Sequence, residues 1–261
     1  MTSVFFLFLL HMSVGLMVAL CLVPHRAGDR FFKLCSASAA VMTTAALALL
    51  WRRYGPNAPD ALFPRYPAVL VATGLLLLLT VLLNRAWHFG WKRAYDPLLW
   101  AATLAGTFDV IFAARTGGEA ASDATSALLL GAAASAMILG HYYLVVLDLP
   151  ISALRRLTVL LVTAIGLRTI VVMTALFAAR GAGLHEAGLV ASGLFSPDGI
   201  FVWMRLLFGI VGPLSLVYFI WRTVEIRSTQ SATGILYVQL FLVLAGELLA
   251  KHLRVFSGLP L

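Results

Sequence analysis

The chain has 261 residues, of which 61% are hydrophobic and 11% are charged, and its mean hydropathy is +0.96. Soluble domains carry about 25% charged residues, so this composition excludes an ordinary soluble domain and indicates an integral membrane protein. The formal net charge of +8 does not indicate a nucleic-acid partner, because the Lys and Arg residues stand at the ends of apolar runs, where they set topology and contact lipid head groups.

Eight apolar runs have the length of about 20 residues that a helix needs to cross a bilayer. The sequence therefore predicts an all-α, polytopic membrane protein with one transmembrane domain over residues 1–261. We expect the first run to be a retained span rather than a signal peptide, because no positive residue precedes it and no small-residue cleavage site follows it. The predicted spans are 4–23, 31–51, 68–87, 97–114, 127–147, 157–179, 200–221 and 232–250.

The distribution of basic residues predicts the orientation of the spans. Loops after the odd-numbered spans carry ten Lys or Arg residues and the opposite side carries seven, so the positive-inside rule favours both termini outside the cytoplasm. We expect the protein to reside in a bacterial cytoplasmic (inner) membrane. Residues 183–195 are too short to span, and an interfacial helix is predicted for them.

Polar side chains within the predicted spans are the candidates for function, since a charge at a helix centre costs at least about 2.5–3.5 kcal/mol. The first and fourth spans each place one such group on a face rich in Gly and Ala, and the last span places two on one stripe, so these groups face protein rather than lipid. Arg205, about one turn into the seventh span, is a further candidate. The six central residues are His11, Asp109, His141, Arg168, Gln239 and Glu247.

The predicted depths suggest two groups. His11, Asp109, Arg205 and Glu247 fall in the outer half and, with Gln239, form a candidate site for a quinone head group and its protons. Arg168 near the middle and His141 in the inner third would extend a polar path inward. The two arginines could also neutralise the two acids in purely structural ion pairs.

His141 leaves four interpretations open. It could hydrogen-bond another helix, donate to a quinone head group, relay protons, or act as an axial ligand of haem b. The depths predicted for His11 and His141 differ by about 11 Å at 1.5 Å per residue, which disfavours a shared haem.

Other chemistry is not predicted by the sequence. Cys21 and Cys35 form no metal-binding spacing, and the chain has no Walker A, HExxH, dinucleotide-binding or nucleophile-elbow motif. We therefore assign no catalytic residue and no metal ligand. Gly209, Gly212 and Pro213 predict a kink in the seventh span, which could shape a cavity.

An internal repeat is suggested over residues 1–115 and 125–255, which would give two four-helix bundles. A histidine lies in the first span of each half (His11 and His141), and a carboxylate lies late in the last span of each half (Asp109 and Glu247).

Two C-terminal segments, "GPLSL" at 212–216 and "GILYVQLFLVLAGELLAKHLRVF" at 234–256, resemble the membrane anchors of polysulfide and dimethyl sulfoxide reductases. That resemblance implies eight helices in two bundles, termini outside, and a subunit that passes electrons between quinol and an iron-sulfur or cytochrome partner. Glu247 is the residue it carries into a quinone site. The central segment "LGHYYLVVLDLPISALRRL" at 139–157 instead resembles uncharacterised bacterial multi-span proteins.

The sequence thus predicts a quinone-binding membrane subunit of an electron-transfer complex, and it leaves open whether this subunit is an enzyme by itself. Two other classes remain open. A proton-coupled transporter or channel would use the same intramembrane acids and kinked helix. A structural subunit, with or without haem b, would need those polar groups only to hold neighbouring helices.

Overall fold

The computed structural model describes residues 1–55, 65–146, 149, 151–181 and 199–257. Within these ranges eight helices are long and apolar enough to cross a membrane, which confirms the predicted multi-pass, all-α fold. Residues 183–195, for which an interfacial helix was predicted, lie outside the described ranges. The helices are α1 Thr2–Leu22, α2 Asp29–Tyr54, α3 Tyr66–His88, α4 Lys92–Ala113, α5 Gly117–Val145, α6 Ser152–Gly181, α7 Gly199–Glu225 and α8 Thr229–Ser257.

Several helices extend further than the apolar runs. Helix α5 begins at Gly117 rather than at 127, and α8 ends at Ser257 rather than at 250. Helices α4 and α6 also begin earlier than predicted, at Lys92 and Ser152 instead of 97 and 157. The extra turns of α5 and α8 are polar, and they form because their side chains find partners inside the protein.

A capping box fixes the start of α5. The Thr116 side chain accepts a hydrogen bond from the Glu119 backbone N–H at 3.2 Å, and the Glu119 carboxylate accepts one from the Arg115 backbone N–H at 2.9 Å. The first bond satisfies an N–H group that a helix start would otherwise leave without a partner, and the second ties the residue before the N-cap to the same turn.

The eight helices pack as two four-helix bundles. In the first, α1 contacts α2, α2 contacts α3, α3 contacts α4, and α4 returns to α1; helices α5 to α8 follow the same order. Helices α1 and α5 join the two bundles through one of the largest interfaces in the fold. This arrangement is the one that the suggested sequence repeat would produce, and the repeat itself stays a prediction.

The α1–α5 junction depends on two glycines. A Cβ on Gly15 would lie 1.9 Å from the Ala127 carbonyl oxygen, and a Cβ on Gly131 would lie 1.9 Å from the Gly15 carbonyl carbon. Only glycine lets the two backbones approach this closely. The close approach sets His11 of α1 against the first turns of α5.

Helix α7 departs from α-helical geometry where the sequence predicts a kink. Residues Leu207–Val211 form a π-helical segment that ends immediately before Gly212 and Pro213. Such segments are found mostly as single turns within α-helices, frequently at functional sites. The segment lies next to the buried Arg205 side chain.

Candidate functional site

Glu247 of α8 lies at the centre of a buried ionic network. Arg168 of α6 donates from Nε to Oε1 at 2.9 Å and from Nη2 to Oε2 at 3.2 Å. Arg205 of α7 donates from Nη2 to Oε1 at 3.0 Å, and Lys251 Nζ lies 3.4 Å from Oε2. The carboxylate is fully buried, and none of the three cations is more than 3% exposed.

Ser126 of α5 connects the carboxylate to His11. Its hydroxyl donates to Glu247 Oε2, accepts from Lys251 Nζ, and lies 3.4 Å from His11 Nδ1. The other ring nitrogen of His11, Nε2, lies 3.7 Å from Asp123 Oδ1. A chain of polar contacts therefore runs from the carboxylate through a hydroxyl and an imidazole to a second carboxylate.

A less deeply buried layer completes the network. Arg254 contacts both carboxylate oxygens of Asp123 and donates from Nη2 to Glu119 Oε2 at 2.8 Å. Its side chain is 12% exposed, whereas that of Asp123 is only 3% exposed. Arg168 Nη1 also donates to the Ser122 hydroxyl at 2.7 Å and to the Ser122 carbonyl at 3.0 Å. We call these residues the Glu247 network: His11, Glu119, Ser122, Asp123, Ser126, Arg168, Arg205, Glu247, Lys251 and Arg254.

Among the described residues, the network carries more cations than anions. Its four basic side chains (Arg168, Arg205, Lys251, Arg254) face the three carboxylates of Glu119, Asp123 and Glu247. A cluster of this composition favours groups that accept hydrogen bonds.

Arg205 has hydrogen-bonding capacity to spare. Among the described residues, its Nε and Nη1 atoms have no hydrogen-bond partner, although the side chain is fully buried. The guanidinium lies over Gly209, where a Cβ would come within 1.5 Å of Nη1. Gly209 in turn contacts Gly246, since a Cβ on Gly246 would lie 2.3 Å from the Gly209 Cα. These two glycines give Arg205 the room to reach Glu247.

Four of the seven predicted site residues meet in this network: His11, Arg168, Arg205 and Glu247. Arg168 lies at its centre instead of beginning a separate inward path. Both arginines bind Glu247, so the prediction that one of them would neutralise Asp109 is wrong.

Asp109 lies in the first bundle, away from both arginines. The Thr73 hydroxyl donates to its Oδ2 at 2.8 Å, and Oδ1 has no hydrogen-bond partner among the described residues. Its helix, α4, packs between α1 and α3. A Cβ on Gly106 of this helix would lie 2.7 Å from the Val14 side chain of α1. The second bundle holds the cations that Asp109 was expected to meet.

Gln239 and His141 also lie apart from the network. Gln239 is buried, but among the described residues its amide has no hydrogen-bond partner, and it precedes Glu247 by eight residues, about 12 Å along α8. His141 is exposed, and its Nδ1 lies 3.0 Å from the Tyr237 hydroxyl of α8. Of the four interpretations of His141, the hydrogen bond to another helix is the one observed.

Six members of the network are not among the residues predicted from the sequence, namely Glu119, Ser122, Asp123, Ser126, Lys251 and Arg254. The first four follow helical spacing, i, i+3, i+4 and i+7, and the last two continue the stripe of Glu247 at i+4 and i+7. That spacing marks one face of each helix. The predicted fifth span began at 127, just after the first stripe, and the predicted eighth span ended at 250, within the second, so these six residues were left outside the spans.

The histidines do not fit a shared haem. His11 lies on α1 and contacts Ser126 of α5. His141 lies on α5, 15 residues after Ser126 and so about 22 Å from it along the helix. Two axial ligands of one iron cannot be that far apart. In the described part of the chain, no group of three or more His, Cys, Asp or Glu residues could hold a metal ion.

Comparisons with known proteins found no match: no protein-family model, curated protein or solved structure matches the chain. The resemblance to the reductase membrane anchors is not tested by this result and stays a hypothesis. The chemistry of the Glu247 network is therefore the main basis for assigning a function.

Proposed function

We propose that the chain is a membrane subunit of an electron-transfer complex and binds the head group of a quinone or quinol at the Glu247 network. The observation that carries this proposal is Arg205. A fully buried guanidinium whose Nε and Nη1 lack acceptors among the described residues is unusual, because buried polar groups are almost always hydrogen-bonded. A quinone supplies uncharged carbonyl oxygens that can accept these bonds within the membrane.

The same network offers a route for the protons that a quinol releases. The Ser126 hydroxyl both donates and accepts, and it stands between Glu247 and His11. His11 is followed by Asp123 and then by the partly exposed Arg254. Histidine suits such a role because one ring nitrogen can accept a proton while the other donates one. In this proposal His11 passes protons between the buried carboxylate and the end of the bundle where α5 begins.

The proposal includes a redox partner. The resemblance to reductase membrane anchors supports an iron-sulfur or cytochrome protein that exchanges electrons with the bound quinol, in a bacterial cytoplasmic membrane. In such a complex this subunit would supply the binding of the carrier and the handling of its protons, and the partner would supply the electron acceptor or donor.

The test is a binding measurement on the purified full-length chain with short-chain ubiquinone and menaquinone analogues. Arg205→Lys keeps the positive charge beside Glu247 but removes the two unpartnered N–H groups, so we expect about tenfold weaker binding, the equivalent of one or two hydrogen bonds. Arg222→Lys is the matched control, because Arg222 lies on the same helix in an exposed pair with Glu225. Equal affinities for the two variants, or no binding by the unmodified chain, would contradict the proposal.

A proton-coupled transporter is the second candidate, and a specific observation favours it. The π-helical segment interrupts α7 directly beside Arg205, and transporter sites are commonly built at interrupted helices near the membrane centre. Vesicles containing the purified chain and a pH-sensitive dye would test this function. A proton flux that Glu247→Gln abolishes would favour transport. No proton flux in the unmodified chain, together with quinone binding, would favour the first proposal.

A further inference from the structure

A second site lies far from the Glu247 network, where α1 ends and α6 begins. A groove of about 680 Å³ is lined by Cys21 and Leu22 of α1 and by the first turns of α6. Arg155, at this end of α6, precedes the network residue Arg168 by 13 residues, about 20 Å along the helix. The groove is therefore independent of the proposed quinone site.

The lining of the groove is divided into an apolar and a basic part. Leu22, Val159 and Leu160 form an apolar wall, and Leu22 and Val159 are 43% and 47% exposed. Ser152, Arg155 and Arg156 line the end where α6 starts. The groove therefore combines a basic mouth, formed by Arg155 and Arg156, with the apolar wall.

Among the described residues, the basic mouth has no counter-charge. None of the ion pairs among the described residues involves Arg155 or Arg156, and both side chains are exposed. The first turn of α6 contains no acidic residue, although the start of a helix carries partial positive charge. The Arg155 guanidinium lies 5.9 Å from the ring centre of Trp221, which holds it at the mouth of the groove.

We propose that this groove binds an anionic phospholipid. The phosphate contacts Arg155 and Arg156, and one acyl chain lies along Leu22, Val159 and Leu160. Basic pockets between membrane helices are suited to acidic head groups. The apolar wall distinguishes a lipid from free phosphate, because only the acyl chain of a lipid gains binding free energy by burial against it.

The experiment is native mass spectrometry of the purified full-length chain in detergent, with phosphatidylglycerol or phosphatidylcholine of the same acyl chains added. We expect the unmodified chain to bind phosphatidylglycerol more tightly. Arg155→Gln/Arg156→Gln should weaken that binding about 25-fold, from about fivefold for each arginine near the membrane surface. The matched control is Arg26→Gln/Arg30→Gln, which removes the same charge from exposed residues that do not line the groove.

Val159→Trp tests the apolar wall without changing any charge. We expect the larger side chain to fill the groove and to weaken phosphatidylglycerol binding at least tenfold, while thermal unfolding confirms that the variant is folded. Equal affinity for the two lipids, or equal losses in the two double variants, would overturn the proposal. Displacement of the lipid by an equal concentration of inorganic phosphate, with Val159→Trp unaffected, would instead indicate a free-phosphate site and also overturn it.

Discussion

Replacement of Glu247 by glutamine is the most direct test of the buried network. The substitution preserves the shape of the side chain but removes the carboxylate charge that contacts Arg168, Arg205 and Lys251 together. It also introduces N–H groups where the surrounding side chains already donate. The three cations would then lie in a buried site without their common acceptor.

The expected magnitude follows from the burial of this carboxylate. Breaking a buried ion pair by removing one partner costs about 3–5 kcal/mol, because the remaining charge stays desolvated. For a chain of this size, each kcal/mol corresponds to about 2–4 °C in unfolding temperature, so we expect a decrease of about 6–20 °C. Glu225→Gln is the control, since its pair with Arg222 is about half exposed and such pairs contribute about 0–1 kcal/mol.

The assay is thermal unfolding of the purified protein in detergent, followed by tryptophan fluorescence. Adding Arg205→Gln to Glu247→Gln should recover part of the lost stability, because it removes one of the uncompensated cations. Equal unfolding temperatures for Glu247→Gln and Glu225→Gln would refute the ionic reading of the network. A double variant that is less stable by the sum of the single effects would show that the two residues do not interact.

Two further predictions concern residues around the network and in the first bundle. Gly209→Ala would place a Cβ 1.5 Å from Arg205 Nη1, so we expect Arg205 to leave Glu247. Stability should then fall by about 1–3 kcal/mol and quinone affinity about tenfold. Gly234→Ala is the control and should change neither quantity, because no atom lies within 4 Å of a Cβ at that position. Thr73→Val removes the hydroxyl that donates to Asp109 and should lower stability by about 1–3 kcal/mol in thermal unfolding. The control, Thr44→Val, should have a much smaller effect, because the Thr44 hydroxyl bonds only its own helix. Equal effects of the two substitutions would contradict the assigned role of Thr73.

The sequence was sufficient for the number of helices, because a bilayer sets the length of apolar run that each crossing helix needs. It was insufficient for the start of α5, where the first ten residues include Glu119, Asp123 and Ser126. An apolar window stops at such residues, yet their polarity is matched by Arg254 and His11 from other helices. The Thr116 to Glu119 capping box was the local signal for the true start.

Depth along a helix does not by itself determine which side chains meet between helices. Asp109 and Glu247 occupy corresponding positions in the two halves, and from depth alone either could have met Arg168 or Arg205. Which acid receives the arginines depends on which helices are neighbours. Helices α6 and α7 pack in the second bundle with α8, so both arginines reach Glu247 and Asp109 is left with Thr73.

The junction between the bundles determines whether His11 belongs to the network, and this can be tested separately. A Cβ on Gly131 would lie 1.9 Å from the Gly15 carbonyl carbon, whereas ordinary contacts begin at 3.4 Å, so Gly131→Ala must move α1 and α5 apart by about 1.5 Å. The His11 to Ser126 contact, already 3.4 Å, would then be lost.

His11→Ala should therefore destabilise the unmodified chain by about 1 kcal/mol but add nothing in the Gly131→Ala background. Gly166→Ala, where no atom lies within 4 Å, is the control background in which His11→Ala should keep its full effect. An equal effect of His11→Ala in all three backgrounds would mean that the glycine junction does not hold His11 against α5. The proton route proposed through His11 would then lose its structural basis, while the ionic contacts of Glu247 with Arg168, Arg205 and Lys251, all within the second bundle, would be unaffected.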